Sequence, residues 1–270
     1  MLLQIYYQKG EHVKVKIDEL TPVEFYEEEG IWLKRDDLFE VCGVRGGKSR
    51  SAYQVITQLL SEGYKTIVTA GSRQSPQCEI VSYICESLGV DCKVFMPFGG
   101  DTSVIKHLKG NSHTELIRVR PGYNNIIVAR AREYAETRGC GYVPFGMECA
   151  ENVMVTSKQV LNLPEGMKRL VIPVGSGMSF SSVVTGLYEN GIDVPLLGVR
   201  VGKDPSKILE EYAFGLFFMN YEIVQSPVDY HDAVTAFVGD VQLDPIYEAK
   251  CYEFLKPGDC LWVVGRRLLD

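Results

Sequence analysis

The sequence contains no long apolar run. No stretch of the 270 residues approaches the roughly 20 uninterrupted apolar residues that a membrane-spanning helix needs. Residues 1–10 mix Gln4, Tyr6 and Lys9 among apolar residues, and they lack the basic start and apolar run of a secretion signal. We therefore expect a cytosolic protein that does not cross a membrane.

Basic clusters and metal-ligand patterns are also missing. The formal net charge is −7 and no basic block stands out, which argues against a broad nucleic-acid-binding surface. The eight cysteines include no C-x-x-C pair, and the four histidines are scattered without metal-ligand spacing. We therefore expect small buried cysteines in a reducing compartment, no metal site and no nucleic-acid partner.

Short apolar runs alternate with segments of helical period, the pattern of a βαβ architecture. The predicted strands are 65–71, 92–97, 115–120, 141–146, 169–175, 195–201 and 259–265. The predicted helices are 77–88, 102–108, 124–137, 151–161 and 180–190. Strands separated by helices favour parallel sheets with helices on both faces.

The segment 44–60, VRGGKSRSAYQVITQLL, places two glycines before Lys48 and a helical pattern directly after it. A lysine at a helix N-terminus lies at the positive end of the helix dipole, which favours the neutral amine. Schiff-base chemistry requires that neutral amine. The alternative is a surface lysine beside a flexible turn, and this segment alone does not decide between the two.

A glycine–serine loop follows the strand predicted at 169–175. Glycines let the backbone approach a ligand, the first N–H groups of a helix face an anion, and serine hydroxyls add donors. The dinucleotide fingerprint is incomplete because residue 180 is Phe, and no P-loop lysine follows. The loop predicts an anion site, with a plain tight turn as the alternative. Its residues are Gly175, Ser176, Gly177, Met178 and Ser179.

The loop 69–80, TAGSRQSPQCEI, is rich in hydroxyl and amide groups and connects a strand to a helix. Such a loop can hold a substrate carboxylate at the start of the helix. The alternative is an ordinary capped helix, with Ser75 at or near the cap and Pro76 at the first position.

Taken together and in order, these segments resemble the fold-type II pyridoxal-phosphate (PLP) enzymes, the tryptophan synthase β family. The order starts with LKRDDLF at 33–39 and ends with LDPIYEAK at 243–250. The last segment is similar to D-P-V-Y-E-G-K of 1-aminocyclopropane-1-carboxylate deaminases and to D-P-V-Y-T-G-K of D-cysteine desulfhydrases. RQSPQ at 73–77 resembles their I-Q-S-N-Q/H loop.

The resemblance implies the fold, the cofactor and the assembly. It implies an α/β protein of two lobes, with three-layer parallel sheets and helices on both faces. Residues 1–49 and 156–270 would form the large lobe that binds the PLP phosphate, and 50–155 a smaller lobe that closes over the active site. By analogy with the family we expect a homodimer.

The resemblance also assigns roles to residues. Lys48 would carry PLP as a Schiff base and move protons at the substrate carbon, while Ser75 would contact the substrate and can act as a nucleophile. The loop 175–179 would hold the cofactor phosphate. Tyr247 would lie at the substrate, and Glu248 would face the pyridine nitrogen and keep it protonated, making the ring a stronger electron sink.

Four departures from the family pattern bear on the substrate. Gly47 stands before Lys48 where the family has asparagine, and Pro76 replaces the asparagine that touches the cofactor's phenolic oxygen. Proline has no amide donor for that contact. The segment 230–242 has no clear tyrosine–glycine-rich counterpart, and VVGRR at 263–267 replaces a glycine-rich finish.

Three hypotheses follow. The first is a PLP-dependent lyase or deaminase that abstracts a proton from a small amino acid, with elimination, deamination or replacement. The second keeps PLP but takes an amino acid attached to a larger carrier, because the region 202–242 is shortened. The third is a catalytically degenerate protein that binds PLP or another phosphate ligand, which Pro76 and the altered C-terminal segment favour.

Overall fold

The computed structural model describes residues 4–8, 11–122, 124–213, 215–216 and 219–265, with side chains from residue 15 onward. By its internal contacts the described chain falls into two compact units. Unit 1 comprises residues 4–17 and Glu40–Cys149, and unit 2 comprises Asp18–Phe39 and residues 150–265. Residues 4–17 and 40–49, the second of which carries Lys48, thus group with unit 1, whereas the sequence-based division placed 1–49 with 156–270.

The elements of the described residues are numbered in chain order. The strands are β1 (Gln4–Gln8), β2 (Glu11–Val15), β3 (Val23–Tyr26), β4 (Ile31–Arg35), β5 (Glu40–Val41), β6 (Val44–Arg45), β7 (Thr66–Ala70), β8 (Asp91–Pro97), β9 (Thr114–Val119), β10 (Gly141–Tyr142), β11 (Arg169–Val174), β12 (Leu196–Arg200), β13 (Tyr221–Gln225), β14 (Phe237–Val238), β15 (Val241–Gln242) and β16 (Asp259–Val263). The α-helices are α1 (Gly47–Ser61), α2 (Pro76–Leu88), α3 (Ser103–Gly110), α4 (Asn124–Arg138), α5 (Ala150–Thr156), α6 (Met178–Glu189) and α7 (Ser206–Tyr212). Short 3-10 helices span Asp36–Leu38, Phe145–Met147, Ser157–Asn162 and Glu248–Phe254.

Unit 1 is built on a parallel sheet with the strand order β10-β7-β8-β9. Alternate residues of β7 point to opposite faces, as the two-residue period of a strand requires. Val68 and Ala70 share a buried cluster with Ile127 of α4. Ile67 lies on the other face, where it and Leu59 of α1 both approach Gly141. Both faces of this sheet are therefore covered by helices.

Unit 2 is built on a six-stranded sheet with the order β13-β12-β11-β16-β4-β3. All neighbours are parallel except β3 and β4, which form a hairpin and must therefore run antiparallel. Within β11, Leu170 and Ile172 pack with Val183 of α6, whereas Val171 belongs to the cluster on the opposite face. The β11 strand is thus buried on both sides, which explains its continuous apolar sequence.

The predicted strands and helices are largely confirmed, with two differences. The strand expected at 141–146 keeps only two residues, because Pro144 cannot donate to a ladder and Gly146 has a φ of 73° that turns the chain. The helix expected at 151–161 is α5 followed by a separate 3-10 turn. The predicted set does not contain the strands β1 to β3, β5, β6 and β13 to β15 or the helix α7. Among the described residues, no helix is long and apolar enough to span a membrane.

Candidate active site

The glycine–serine loop lies at the carboxyl edge of the unit 2 sheet. β11 runs parallel to both of its neighbours, β12 and β16, and ends at Val174, directly before the loop. Open α/β sheets bind their ligands at this edge. The predicted loop therefore has the position of a ligand site and not only of a connection.

The loop leaves the start of α6 accessible to an anion. Gly177 precedes α6 with a φ of 103°, and its residue type offers no side-chain cap. An added Cβ at Gly177 would lie 2.8 Å from the Cβ of Pro205. Both the positive φ and this close approach therefore require glycine at the position. Ser176 Oγ accepts from Met178 N at 3.4 Å, a long contact that leaves the remaining first-turn N–H groups for an external acceptor.

Gly175 brings the loop into direct contact with Tyr247. An added Cβ at Gly175 would lie 2.7 Å from Tyr247 Cε1, which is closer than two such carbons can approach. The Oη atoms of Tyr247 and Tyr230 are 3.1 Å apart and share a hydrogen bond. Lys250, itself buried, donates to the backbone carbonyls of Asp229 and Tyr230 and so fixes that second tyrosine.

Glu248 is fully buried, with 0% of its surface exposed. Its Oε1 accepts from Val264 N at 2.7 Å and, more weakly, from Gly265 N at 3.4 Å. Its Oε2 has no hydrogen-bond partner among the described residues. Burial, and then the charge of Asp244, raise the pKa of Glu248 well above its ordinary value of 4.5. Burial therefore favours the neutral form of this carboxyl group as long as no cationic partner is present.

These features of unit 2 fit PLP. Val264 and Gly265 follow β16, the neighbour of β11, so Glu248 is anchored at the same sheet edge as the glycine loop. The loop offers N–H donors for a phosphate. The orphaned Oε2 of Glu248 offers the acceptor that a protonated pyridine nitrogen needs, since a buried polar atom without a partner is costly. Among the described residues, no cluster of three or more His, Cys, Asp or Glu side chains is arranged to hold a metal ion.

Lys48 lies in the first turn of α1, as the sequence predicts. β5 and β6 form a hairpin whose two turn residues, Cys42 and Gly43, both have positive φ, the signature of a type I′ turn. Gly46 follows with a φ of 103° and precedes α1 without a side-chain cap. The hairpin and the glycine therefore deliver the half-buried Lys48 side chain to an uncapped helix N-terminus.

Ser75 lies at the start of α2, but its hydroxyl group does not cap that helix. An added Cβ at Gly71 would lie 2.6 Å from Ser75 Oγ and 2.7 Å from Cys78 Sγ, so both atoms sit against the same glycine. Burial raises the pKa of Cys78 to about 12, an effect that a hydrogen bond from Ser75 opposes. Ser75 is thus the N-cap residue and Pro76 the first residue of α2, as the capped-helix alternative predicts, although the Ser75 hydroxyl group lies toward the Cys78 thiol instead of capping the helix.

Sequence reasoning missed two polar residues of these regions. Gln77 is buried and donates to Pro144 O at 2.7 Å and Thr69 Oγ1 at 3.3 Å, while its Oε1 accepts from Gly146 N. It thereby ties the start of α2 to the loop after β10. Tyr230 was passed over because no glycine-rich motif surrounds it. A glutamine that belongs to a buried hydrogen-bond network and a tyrosine outside any motif cannot be recognised as functional from the sequence. Of VVGRR at 263–267, the final two arginines lie outside the described residues.

The comparisons with known proteins identify the family. Residues 15–212 match the family described as pyridoxal-phosphate dependent enzymes, and the chain belongs to that family. The expectations of a fold-type II PLP enzyme, of its α/β fold and of PLP as the cofactor are thereby confirmed.

Among curated relatives, a probable 1-aminocyclopropane-1-carboxylate deaminase of Schizosaccharomyces pombe is 23% identical over 202 residues, covering 66% of this chain and 58% of the relative. An O-seryl-dTMP PLP-dependent decarboxylase of Salmonella phage ViI is 26% identical over 187 residues, covering 58% and 43%. This chain therefore spans about half the length of these relatives. The solved structure of an ACC deaminase homologue superposes with a TM-score of 0.78 at 18% identity, covering 92% of this chain and 90% of that one.

Proposed function

We propose that the protein is a PLP-dependent enzyme that abstracts a proton from a small amino acid, with elimination, deamination or replacement as the outcome. The observation that carries this proposal is the convergence, at one sheet edge of unit 2, of an uncapped helix start, Tyr247 and the orphaned carboxyl group of Glu248. PLP has a group for each of these three features: a phosphate for the helix start, a ring for Tyr247 and a protonated ring nitrogen for Glu248.

When bound, PLP supplies an aldehyde that reacts with amines and a pyridine ring that withdraws electrons. The residues of the chain would bind the cofactor, orient the substrate and move protons. The first-turn N–H groups of α6 bind the phosphate, and Glu248 Oε2 holds the proton on the ring nitrogen. By the family resemblance, Lys48 Nζ would carry the cofactor and would move the proton at the substrate Cα. The loop around Ser75 binds the substrate carboxylate, and Tyr247 orients the substrate with its hydroxyl group.

The first test is an absorption spectrum of the purified protein with PLP, before and after borohydride, followed by peptide mass mapping. We expect a visible band that borohydride removes and a reduced adduct on Lys48. Lys48→Ala should abolish the adduct and turnover, whereas Lys65→Ala, an exposed lysine of unit 1, should retain both. Turnover in Lys48→Ala would refute the assignment. A bound cofactor that responds to no amino acid would favour the degenerate binding protein.

A second candidate substrate is an amino acid attached to a larger carrier. The phage relative is named for a serine joined to a nucleotide, and it is 26% identical to this chain over 187 residues, against 23% over 202 residues for the deaminase. Turnover of free and nucleotide-linked serine by the same preparation separates the two. Turnover of the free amino acid alone would rule out the carrier-linked substrate.

The cytosolic location and the homodimer remain predictions. Light scattering of the PLP-loaded protein at several concentrations tests the assembly. A particle mass near twice 30.2 kDa would support the dimer.

A further inference from the structure

Two arginine side chains of unit 1 converge on one glycine. Arg73 belongs to the loop between β7 and α2, and an added Cβ on Gly99 would lie 2.8 Å from its guanidinium carbon. Arg118, near the end of β9, donates from Nη2 to Gly99 O at 2.6 Å. Arg73 Nη1 donates to the next carbonyl, Gly100 O, at 3.2 Å. The two guanidinium groups are therefore neighbours at the carboxyl edge of the unit 1 sheet.

Neither guanidinium group is paired with a carboxylate of the described residues. No described acidic side chain forms an ion pair with Arg73 or Arg118, and Arg118 Nη1 is buried without a hydrogen-bond partner. Asp101 lies nearby, but it pairs with Lys109 at 2.5 Å. That hydrogen bond, followed by the charges of Lys109, Arg118 and Lys106, holds the pKa of Asp101 below its ordinary value. The Asp101 charge is thus already shared with Lys109.

The chain has a net charge of −7, and yet no described carboxylate pairs with either arginine. Like charges repel, so two guanidinium groups held on the same glycine are a costly arrangement unless an anion bridges them. Guanidinium forks match the oxygens of phosphate, and two positive charges match a dianion. A substrate carboxylate carries only one charge.

We propose that Arg73 and Arg118 form a phosphate-binding site, and that the substrate is an amino acid that carries a phosphate group. The proposal rests on the proposed function for its amino-acid part. The loop that contains Arg73 also contains Ser75, so the carboxylate and the phosphate of such a substrate would be bound by one loop and its neighbour. This site is separate from the cofactor's phosphate, which belongs to the 175–179 loop of unit 2.

Calorimetric titration with inorganic phosphate tests the site without any reaction. The protein is loaded with PLP first, so that the cofactor's own phosphate site is filled. We expect binding that weakens at least tenfold in Arg73→Met and in Arg118→Met. Arg118→Lys keeps the positive charge but not the forked guanidinium group. Its affinity for phosphate should lie between those of the wild type and Arg118→Met. Arg138→Met, which removes an exposed arginine stacked on Tyr134, makes the same change in net charge and should bind as the wild type does.

A comparison of O-phospho-L-serine with L-serine tests the substrate class. Each is titrated against the PLP-loaded protein while the cofactor band is recorded. We expect half-saturation by the phosphorylated amino acid at a concentration at least tenfold lower, and loss of that preference in Arg73→Met and Arg118→Met. Thermal midpoints close to that of the wild type would show that the variants fold.

The outcomes separate the two proposals. If L-serine shifts the band as readily as O-phospho-L-serine, and phosphate does not bind, the phosphate site is refuted and the proposed function stands. If phosphate binds through the arginines but no amino acid shifts the band, the site stands and the proposed function fails. Equal phosphate binding in all variants would overturn the site.

Discussion

Replacing Glu248 by glutamine should change how the stability of the cofactor-free protein depends on pH. The Glu248 side chain is fully buried, and burial raises the pKa of its carboxyl group well above 4.5. In the unfolded chain that group titrates at its ordinary value. Between the two pKa values the folded state holds a proton that the unfolded state has lost, so unfolding releases a proton.

The sign follows from this linkage. The raised pKa contributes stability that is complete below pH 4.5 and is lost as the pH rises toward the folded-state pKa. In that window the wild type should lose about 1.4 kcal/mol of unfolding free energy per pH unit from this group. The Glu248→Gln side chain does not titrate. The unfolding free energy of Glu248→Gln relative to the wild type should therefore rise by about the same amount per pH unit. Any effect of the amide that does not depend on pH shifts the whole profile and leaves this slope unchanged.

Urea unfolding at pH 5, 6, 7 and 8 measures the difference. The protein has two tryptophans, Trp32 and Trp262, and both lie in unit 2, so their fluorescence reports on the unit that holds Glu248. Glu253→Gln, an exposed change on the same 3-10 helix, is the matched control. Saturating PLP should remove the difference in slope by supplying a cationic partner. Parallel pH profiles for Glu248→Gln and the wild type without PLP would refute the buried neutral carboxyl group.

Two further substitutions test the contacts of the loops. Gly175→Ala places a Cβ 2.7 Å from Tyr247 Cε1. An overlap of this kind costs about 1–3 kcal/mol and should weaken PLP binding roughly 10- to 100-fold in a fluorescence titration. Unchanged affinity would show that the loop does not hold the cofactor. Cys78→Ala removes the partner of the Ser75 hydroxyl and should lower kcat/KM about twofold to tenfold. Cys78→Ser keeps a hydrogen-bonding group at this position and should restore kcat/KM. Cys85→Ala, an equally buried change on the same helix, should leave kcat/KM unchanged, and an equal loss there would make the effect one of packing.

The regular elements could be predicted because their signal is local. β11 reads as an unbroken apolar run and α6 as a helical period after two glycines, and each needs only its own residues to be recognised. The β3–β4 hairpin at the sheet edge carries charged residues such as Glu24 and Arg35 that pair with each other at 2.5 Å. That pairing exists only after the sheet has formed, so the sequence pattern does not show it.

The site could be predicted only as separate motifs. The glycines of the 175–179 loop stand out along the chain, whereas Glu248 could be assigned only through the family resemblance of LDPIYEAK at 243–250. The contact between Gly175 and Tyr247 joins residues far apart in sequence, and it depends on β11 and β16 being neighbours. The Arg73–Arg118 pair was missed for the same reason. Each arginine looks like an ordinary surface residue until Gly99 brings the two together.

Pro76 is the departure from the family pattern that bears most directly on chemistry. As the first residue of α2 it starts the helix well, because its missing N–H needs no partner there. By the family resemblance, however, an asparagine at this position reaches the cofactor's phenolic oxygen, and proline offers no donor. Pro76→Asn should therefore tighten PLP binding by about twofold to tenfold, the value of one added hydrogen bond.

Pro76→Ala is the matched control for this change. It restores the backbone N–H of the first helical position without an amide side chain, so it separates the effect of the side chain from that of the proline ring. Fluorescence titration with PLP compares the three proteins. Tighter binding in Pro76→Asn alone would place the Ser75 loop at the cofactor. Equal affinities in all three would mean that this loop does not reach the phenolic oxygen.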